Sequence, residues 1–285
     1  MKELMQVITS LPELRKIRSH LAEPVGLVPT MGYLHEGHLS LIRKARQECA
    51  SVIVSIFVNP TQFAPNEDLR RYPRDLAHDL QLLKQERVDI VWNPSPEIMY
   101  PTGYQTWVTV EELTQTLEGK MRPTHFRGVT TVVSKLFNAT QPQRAYFGQK
   151  DAQQALVVRR MTQDLNFPIE IIVCPTQREA DGLAMSSRNV YLNPAERQAA
   201  TVLSRALFRA QGAYEQGERN AQTLRDLMLS VLKTEPLANV QYVSCAKIED
   251  LREWEGKIQG TALLSLAVFV GQTHLIDNVV VGGSL

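Results

Sequence analysis

Two histidines three residues apart, His35 and His38 in PTMGYLHEGHLSLI (29–42), carry the strongest chemical signal in the chain. The segment leaves a β-branched run, VGLVP (25–29), passes a Met-Gly turn and enters an amphipathic pattern near Gly37. That order predicts a strand, a turn and a helix, with both histidines at the carboxyl end of the strand, where open α/β sheets bind ligands. A spacing of three aims both imidazoles one way. Gly37 permits close backbone approach, and the exposed N–H groups of a helix start attract anions. Phosphate binding fits this set. Zinc is the weaker reading, because two His ligands with no nearby Cys or carboxylate pair leave the coordination incomplete. A buried His38 beside a surface His35 would need no function at all.

Other polar groups follow apolar runs in the same manner. FVNPTQF (57–63) places Asn59 and Gln62 after a second strand pattern. Asn-Pro also simply starts turns, whereas the uncharged donors and acceptors suit a substrate bearing hydroxyl and carboxylate groups. AYFGQKDAQQ (145–154) gives a strand, then Gly148, then Gln149, Lys150 and Asp151 ahead of a helix. Lys150 there can neutralise charge developing on phosphate oxygens. Asp151 can cap the helix or bond a ribose, and Gln154 lies one turn further on. In READGLAMSSRN (178–189), Ser186, Ser187 and Arg188 can make several hydrogen bonds to a pyrophosphate. Arg122, His125 and Arg127 in GKMRPTHFRG (119–128) read as surface charge before a helix, and NEDLRRYPRD (66–75) as a solvated loop or a lid. No GxxxxGK[ST] sequence occurs, so a P-loop is not the phosphate cradle.

The elements that must position these groups alternate through the first 175 residues. Candidate strands are 25–29, 51–59, 89–92, 145–148 and 169–175, and helical patterns span 39–50, 74–86, 126–139 and 151–165. Alternation of this kind predicts a Rossmann-like, doubly wound parallel sheet. Past residue 176 the pattern changes to helices over 195–216 and 221–233, then strands over 239–248, 261–270 and 275–281. The expected organisation is a catalytic domain over 1–176 that binds nucleotide and small substrate, and a smaller α+β domain over 177–285 that closes over the nucleotide.

Bulk properties narrow the functions available. Apolar residues make up 44% and charged residues 21% of the chain, an ordinary globular composition. A net charge of +1 provides no global field for nucleic acid or an anionic membrane, so phosphate affinity must be local. Cys49, Cys174 and Cys245 are odd in number and lack zinc spacing, and they read as reduced, buried thiols. Glu3 and the polar stretch Thr9–His20 argue against a signal peptide. The longest apolar run, 262–270, falls well short of the roughly 20 residues of a membrane helix. A cytoplasmic protein that engages neither membrane nor nucleic acid is expected.

The strand, PTMG turn, HxGH and helix together resemble the HIGH motif of nucleotidyl transferases, and Met185–Arg188 resembles their mobile KMSKS loop with Arg188 in place of lysine. More specifically, PTMGYLHEGHLSLI, FVNPTQF, RPTHFRGV, FGQKDAQQ and MSSRN, in this order, are similar to the pantothenate synthetase family. The resemblance is strong from about residue 20 to 193 and weak thereafter, ending in LIDN (275–278). It implies ATP- and Mg²⁺-dependent joining of pantoate to β-alanine through a pantoyl adenylate, and a homodimer. By resemblance, Met31, Gly32, Tyr33, Leu34, His35, Glu36, Gly37 and His38 contact ATP, with both histidines on the phosphates and His38 as acid. Gly148, Gln149, Lys150, Asp151, Met185, Ser186, Ser187 and Arg188 hold the nucleotide, and Gln177 lies against adenine. Asn59, Gln62 and Gln154 bind pantoate. Arg122 and His125 match positions near β-alanine. After YPR the family often carries an acidic run; here RDLAHDL supplies His78 and then Asp79, so the resemblance implies no single protein ligand for Mg²⁺, which ATP phosphates and water can hold, and Asp79 is left only as a residual candidate.

Overall fold

The apolar, β-branched runs of the first half fold as strands of one parallel sheet. The computed structural model describes residues 5–285; Glu3 lies outside the described residues. The sheet contains β1 (Gln6–Ile8), β2 (Val25–Thr30), β3 (Ser51–Ile56), β4 (Ile90–Trp92), β5 (Arg144–Gly148) and β6 (Glu170–Cys174). Its order is β1-β4-β3-β2-β5-β6, with every pair parallel. The winding therefore reverses between β2 and β5, the switch point at which ligands of such sheets bind. The α/β expectation holds. β1, at the sheet edge, has no counterpart among the sequence-predicted strands, because three residues are too few for a period-two pattern.

The intervening helices are α1 (Leu11–Arg18), α2 (Glu36–Glu48), α3 (Leu76–Gln85), α4 (Pro96–Met99), α5 (Leu117–Met121), α6 (His125–Thr140) and α7 (Ala152–Asp164). The polar stretch Thr9–His20 contains α1. Ser10 caps it by accepting from Glu13 N at 3.3 Å, and fully buried Leu14 anchors its thin apolar stripe. β2 and β3 pair in register from Val25↔Ser51 to Thr30↔Ile56, so both strands end level and release Met31 and Phe57 at the same edge. β3 stops at Ile56 rather than at 59, since Asn59 caps a 3-10 turn, Pro60–Gln62. The core under α2 is Val28, Ile42, Ala45, Val52 and Val54, each fully buried.

The chain divides into two compact units. The first runs to Glu111 and takes in Arg122–Gly148 and Val157–Cys174; the second comprises Glu112–Met121, Gln149–Leu156 and Pro175–Leu285. The second unit thus draws two short segments from within the first 176 residues. Gln153 ties them together by donating to the carbonyls of Leu113 at 2.8 Å and Thr116 at 2.9 Å. Later in this unit come α8 (Pro194–Ala199), α9 (Val202–Glu215) and α10 (Ala221–Leu232), then the antiparallel strands β7 (Ala238–Lys247), β8 (Ala262–Val270) and β9 (Thr273–Val281). The helix expected over 195–216 is two helices. At the junction the ladder tightens to i−3 bonds, Thr201 N to Gln198 O and Leu203 N to Ala200 O, with no glycine or proline to mark the break. Leu203, Leu207, Leu224 and Met228 from α9 and α10 pack with Leu264, Leu266 and Val268 of β8 in one core.

Candidate active site

β2 delivers the histidine turn. Gly32 (φ 79°) and Tyr33 (φ 52°) reverse the chain in left-handed conformations. Thr30 Oγ1 donates to Ser55 O at 2.8 Å and accepts from Gly32 N at 3.2 Å. The turn is then held by Asp79, on α3 and only 1% exposed, which accepts from Tyr33 N at 2.8 Å and Leu34 N at 2.7 Å. Burial raises the Asp79 carboxyl above its usual range, against the two backbone donors and the neighbouring His78.

His35 is the N-cap of α2. Its Nδ1 accepts from Gly37 N at 3.1 Å, and His38 Nδ1 accepts from His35 N at 3.3 Å, a reciprocal capping box. The ring centroids lie 4.1 Å apart. A nitrogen that accepts carries no proton, so in its neutral form each ring holds its proton on Nε2. Two Nε2–H donors side by side at a helix start suit phosphate oxygens, and their tautomers are set by the backbone of the same turn. The spacing of three does bring the rings together, with capping as its local cause.

Asn59 is 1% exposed and fully engaged. Its Nδ2 donates to Gln62 Oε1 and to Gly128 O, both at 3.1 Å, while its Oδ1 accepts from the Tyr100 and Thr61 hydroxyls, both at 2.9 Å. Burial pushes the Tyr100 phenol up to about 12, which keeps it a donor at neutral pH. Gln62 Nε2 points to Met31 Sδ at 3.2 Å. The Gln62 carbonyl lies 2.9 Å from His125 Nδ1 and accepts from Arg122 Nη2 at 3.4 Å. Met31, Asn59, Gln62, Arg122 and His125 therefore form one connected group. Arg122 also forks onto both oxygens of Glu67 at 2.6 Å. Burial alone would raise the Glu67 carboxyl, but Arg122 outweighs it and holds the group below its usual range. Glu67, Tyr100 and Gly128 were not singled out by sequence reasoning. The first sits in a stretch that reads as solvated loop, and their partners lie 55, 41 and 69 residues away.

Gly148 ends β5 in the first unit, and Gln149 opens a segment of the second. There Lys150 Nζ lies 3.3 Å from Asp151 Oδ1, and Gln154 is half-buried on α7. Residues 177–185 form a short hairpin in which Arg178 bridges Ala184 and Met185 N donates to Gln177 O at 2.9 Å. The hairpin leads into Ser186, whose Oγ accepts from Arg188 N at 3.3 Å, and into buried Ser187. Among the described residues no group of three or more His, Cys, Asp or Glu side chains could hold a metal ion.

A doubly wound sheet whose β2 turn presents a capped histidine pair defines the chain as an α/β enzyme of the nucleotide-binding kind, with an antiparallel second unit. The profile of the Pantoate-beta-alanine ligase family matches residues 6–280, and the chain belongs to that family. It is 61% identical over 274 residues to the pantothenate synthetase of Roseiflexus castenholzii, covering 96% of this chain and 98% of that protein. The solved pantothenate synthetase of Thermus thermophilus superposes with a TM-score of 0.92 at 47% identity, covering 96% of this chain and 99% of that one. The pantoate-beta-alanine ligase of Francisella tularensis, solved with beta-gamma ATP and beta-alanine, superposes with a TM-score of 0.80 at 37% identity, covering 96% and 97%.

Proposed function

We propose that the chain condenses (R)-pantoate with β-alanine, using ATP, to give pantothenate, AMP and pyrophosphate through a pantoyl adenylate. Family membership over nearly the whole chain supports this reading. The capped histidine pair is the observation that carries its first step. A free carboxylate acylates poorly because its leaving oxygen is too basic. Attack by a pantoate carboxylate oxygen on the α-phosphorus expels pyrophosphate and makes that oxygen part of AMP. The β-alanine amine then attacks the acyl carbon, loses a proton and displaces AMP.

The first step needs positioning and charge neutralisation more than a nucleophilic side chain. His35 and His38 donate to the phosphate oxygens, with His38 in the acid role. Lys150 and Arg188 supply positive charge. Met31–His38, Gly148–Asp151 and Met185–Arg188 hold the nucleotide, with Gln177 against adenine. Gln62 and Gln154 contact pantoate, and Asn59, its amide already engaged, acts through Gln62. Arg122 and His125 shape the β-alanine side through the Gln62 carbonyl. For Mg²⁺ the described side chains do not fit an all-protein site, since both Asp79 oxygens already accept backbone N–H groups. The ion belongs with the ATP phosphates and water.

The decisive assay is pantoate-dependent ATP–pyrophosphate exchange, followed by β-alanine-dependent release of AMP. Exchange that ignores pantoate would assign another adenylyl or cytidylyl transfer instead. We further propose a cytoplasmic homodimer whose 177–285 region closes on ATP. Sedimentation reads the first as twice the 32.2 kDa chain mass, and a smaller solution-scattering radius with ATP plus pantoate reads the second.

A further inference from the structure

In β9, Leu275, Asp277, Val279 and Val281 alternate on the face that packs into the core of the second unit, while His274, Ile276 and Val280 on the other face are half-buried. Two residues break this pattern. Asp277, 2% exposed, is a carboxylate in an apolar row, and Asn278, 3% exposed, is buried on the opposite face. A buried charge or amide persists only where partners compensate it.

Asn278 Nδ2 donates to two successive carbonyls, Gln149 O at 2.9 Å and Lys150 O at 2.8 Å, and Gln149 Nε2 returns a bond to Asn278 Oδ1 at 3.5 Å. Asp277 takes the Arg178 fork, with Nη1 on Oδ2 at 2.7 Å and Nη2 on Oδ1 at 2.9 Å. The same Nη1 and Nη2 also donate to Gly182 O at 3.0 Å and Asn278 O at 3.4 Å, and the guanidinium lies over the Phe208 ring. The Arg178 partners bracket the hairpin from whose second arm Met185 emerges.

We infer that Asp277 and Asn278 are positioning residues that fix two loops from one strand: the Gln149–Lys150 turn and the hairpin that carries Met185–Arg188. The inference rests on the roles proposed above for Lys150 and Arg188. Its substance is where the bonds end. Asp277 shares its face with the core and Asn278 does not, yet the side-chain bonds of both end on the backbone or the hairpin base of the segments proposed to supply positive charge to the nucleotide. Because successive strand residues point to opposite faces, a dipeptide is the smallest unit able to grip both. A displacement of about 1 Å in a group that stabilises developing phosphate charge lowers rates on the order of 100-fold.

The test uses the full chain carrying Asn278→Ala, Asn278→Asp or Arg178→Lys. In ATP–pyrophosphate exchange, Asn278→Ala should lower kcat about 10- to 100-fold and leave the KM for pantoate unchanged. Asn278→Asp should lose more, because it sets carboxylate oxygens against two carbonyls. Added to Lys150→Ala, Asn278→Ala should cost nothing further, as a residue acting through Lys150 must. Wild-type kcat in Asn278→Ala, or losses that multiply in the double variant, would overturn the inference. Should Asn278→Ala fail to fold, Arg178→Lys keeps the charge, loses the fork and carries the same comparison for the Met185–Arg188 loop. Amide hydrogen exchange gives a reading independent of the reaction: faster exchange over 149–152 in Asn278→Ala, with α9 unchanged, is expected. Unchanged protection over 149–152 would sink the positioning claim even if the wild type showed no pantoate-dependent exchange, an outcome that by itself refutes only the proposed function.

Discussion

Replacing Gly128 by alanine tests the link between helix packing and the pantoate side of the site. A Cβ at Gly128 would lie 2.6 Å from Thr61 O and 2.7 Å from both Gln62 N and Gln62 Cα. Ordinary contacts near 3.5 Å require α6 and the Pro60–Gln62 turn to part by about 1 Å. The obstacle is backbone, so no side-chain rotation relieves it. Alanine in a helix interior is favoured over glycine by about 1 kcal/mol, whereas overpacking of this kind costs about 1–3 kcal/mol. The second effect is at least as large, with a net loss of up to about 2 kcal/mol and a melting midpoint up to about 4 °C lower. The displaced turn carries Gln62 and weakens the bond from Asn59 Nδ2 to Gly128 O. In the pantoate-dependent exchange assay, kcat/KM for pantoate should fall about 10- to 100-fold, with the KM for ATP little changed. A Gly128→Ala protein that melts higher than wild type and keeps its pantoate kinetics would refute this reasoning.

Removing the proposed phosphate donors by His38→Ala or Lys150→Ala should lower the rate of adenylation on the order of 10²- to 10³-fold; near-normal turnover of either purified variant would take that residue out of the mechanism. Asp79→Asn keeps one acceptor for the Tyr33 and Leu34 amides and turns an NH₂ toward the other. Losing one bond to a charged group costs about 1.5–3 kcal/mol, so kcat for adenylation should fall, and an unchanged kcat would deny Asp79 its hold on the turn. The same variant has a pH signature. Because burial raises the Asp79 carboxyl, its contribution to stability is fully present below the unfolded value of 3.8 and is lost as pH rises through the folded one. The wild-type advantage over Asp79→Asn in unfolding free energy should therefore shrink across that rise, and an advantage that grows would reverse the assignment. Burial pushes the Cys174 thiol up to about 11 and the Cys245 thiol to about 12, so neither should react with iodoacetamide at neutral pH until the chain unfolds, as mass spectrometry of the alkylated native protein would show.

Most of the parallel sheet was legible because β2 to β6 are predominantly apolar runs, and α2, α3, α6 and α7 keep a three-four spacing on one face. The parts that escaped are those where the deciding contact is remote or the pattern too short. β1 has three residues, and α1 shows few apolar positions because buried Arg18 takes part in its packing, bonding the carbonyls of Thr140 and Gln141 over 122 and 123 residues of sequence. The break between α8 and α9 carries no glycine or proline and is invisible to any rule based on breakers.

The carboxylates show most clearly why chemistry read from residue type runs short. Asp79, the residual metal candidate after YPR, has oxygens that meet amides 46 and 45 positions away. Asp277 meets Arg178 across 99 residues, and Glu67 meets Arg122 across 55. In each pairing the acid holds a loop rather than facing a substrate. The histidines and Lys150 were legible because they follow the ends of β2 and β5, which the local pattern already marks, and Arg188 because it sits in the MSSRN motif. A site for a polyanion gains from this division: acids buried against amides and guanidinium groups fix the loops, and their charge is neutralised before it can oppose the phosphates. On this reasoning Asp79, Asp277 and Asn278 act through the loops they hold, a role that appears only when the chain is folded.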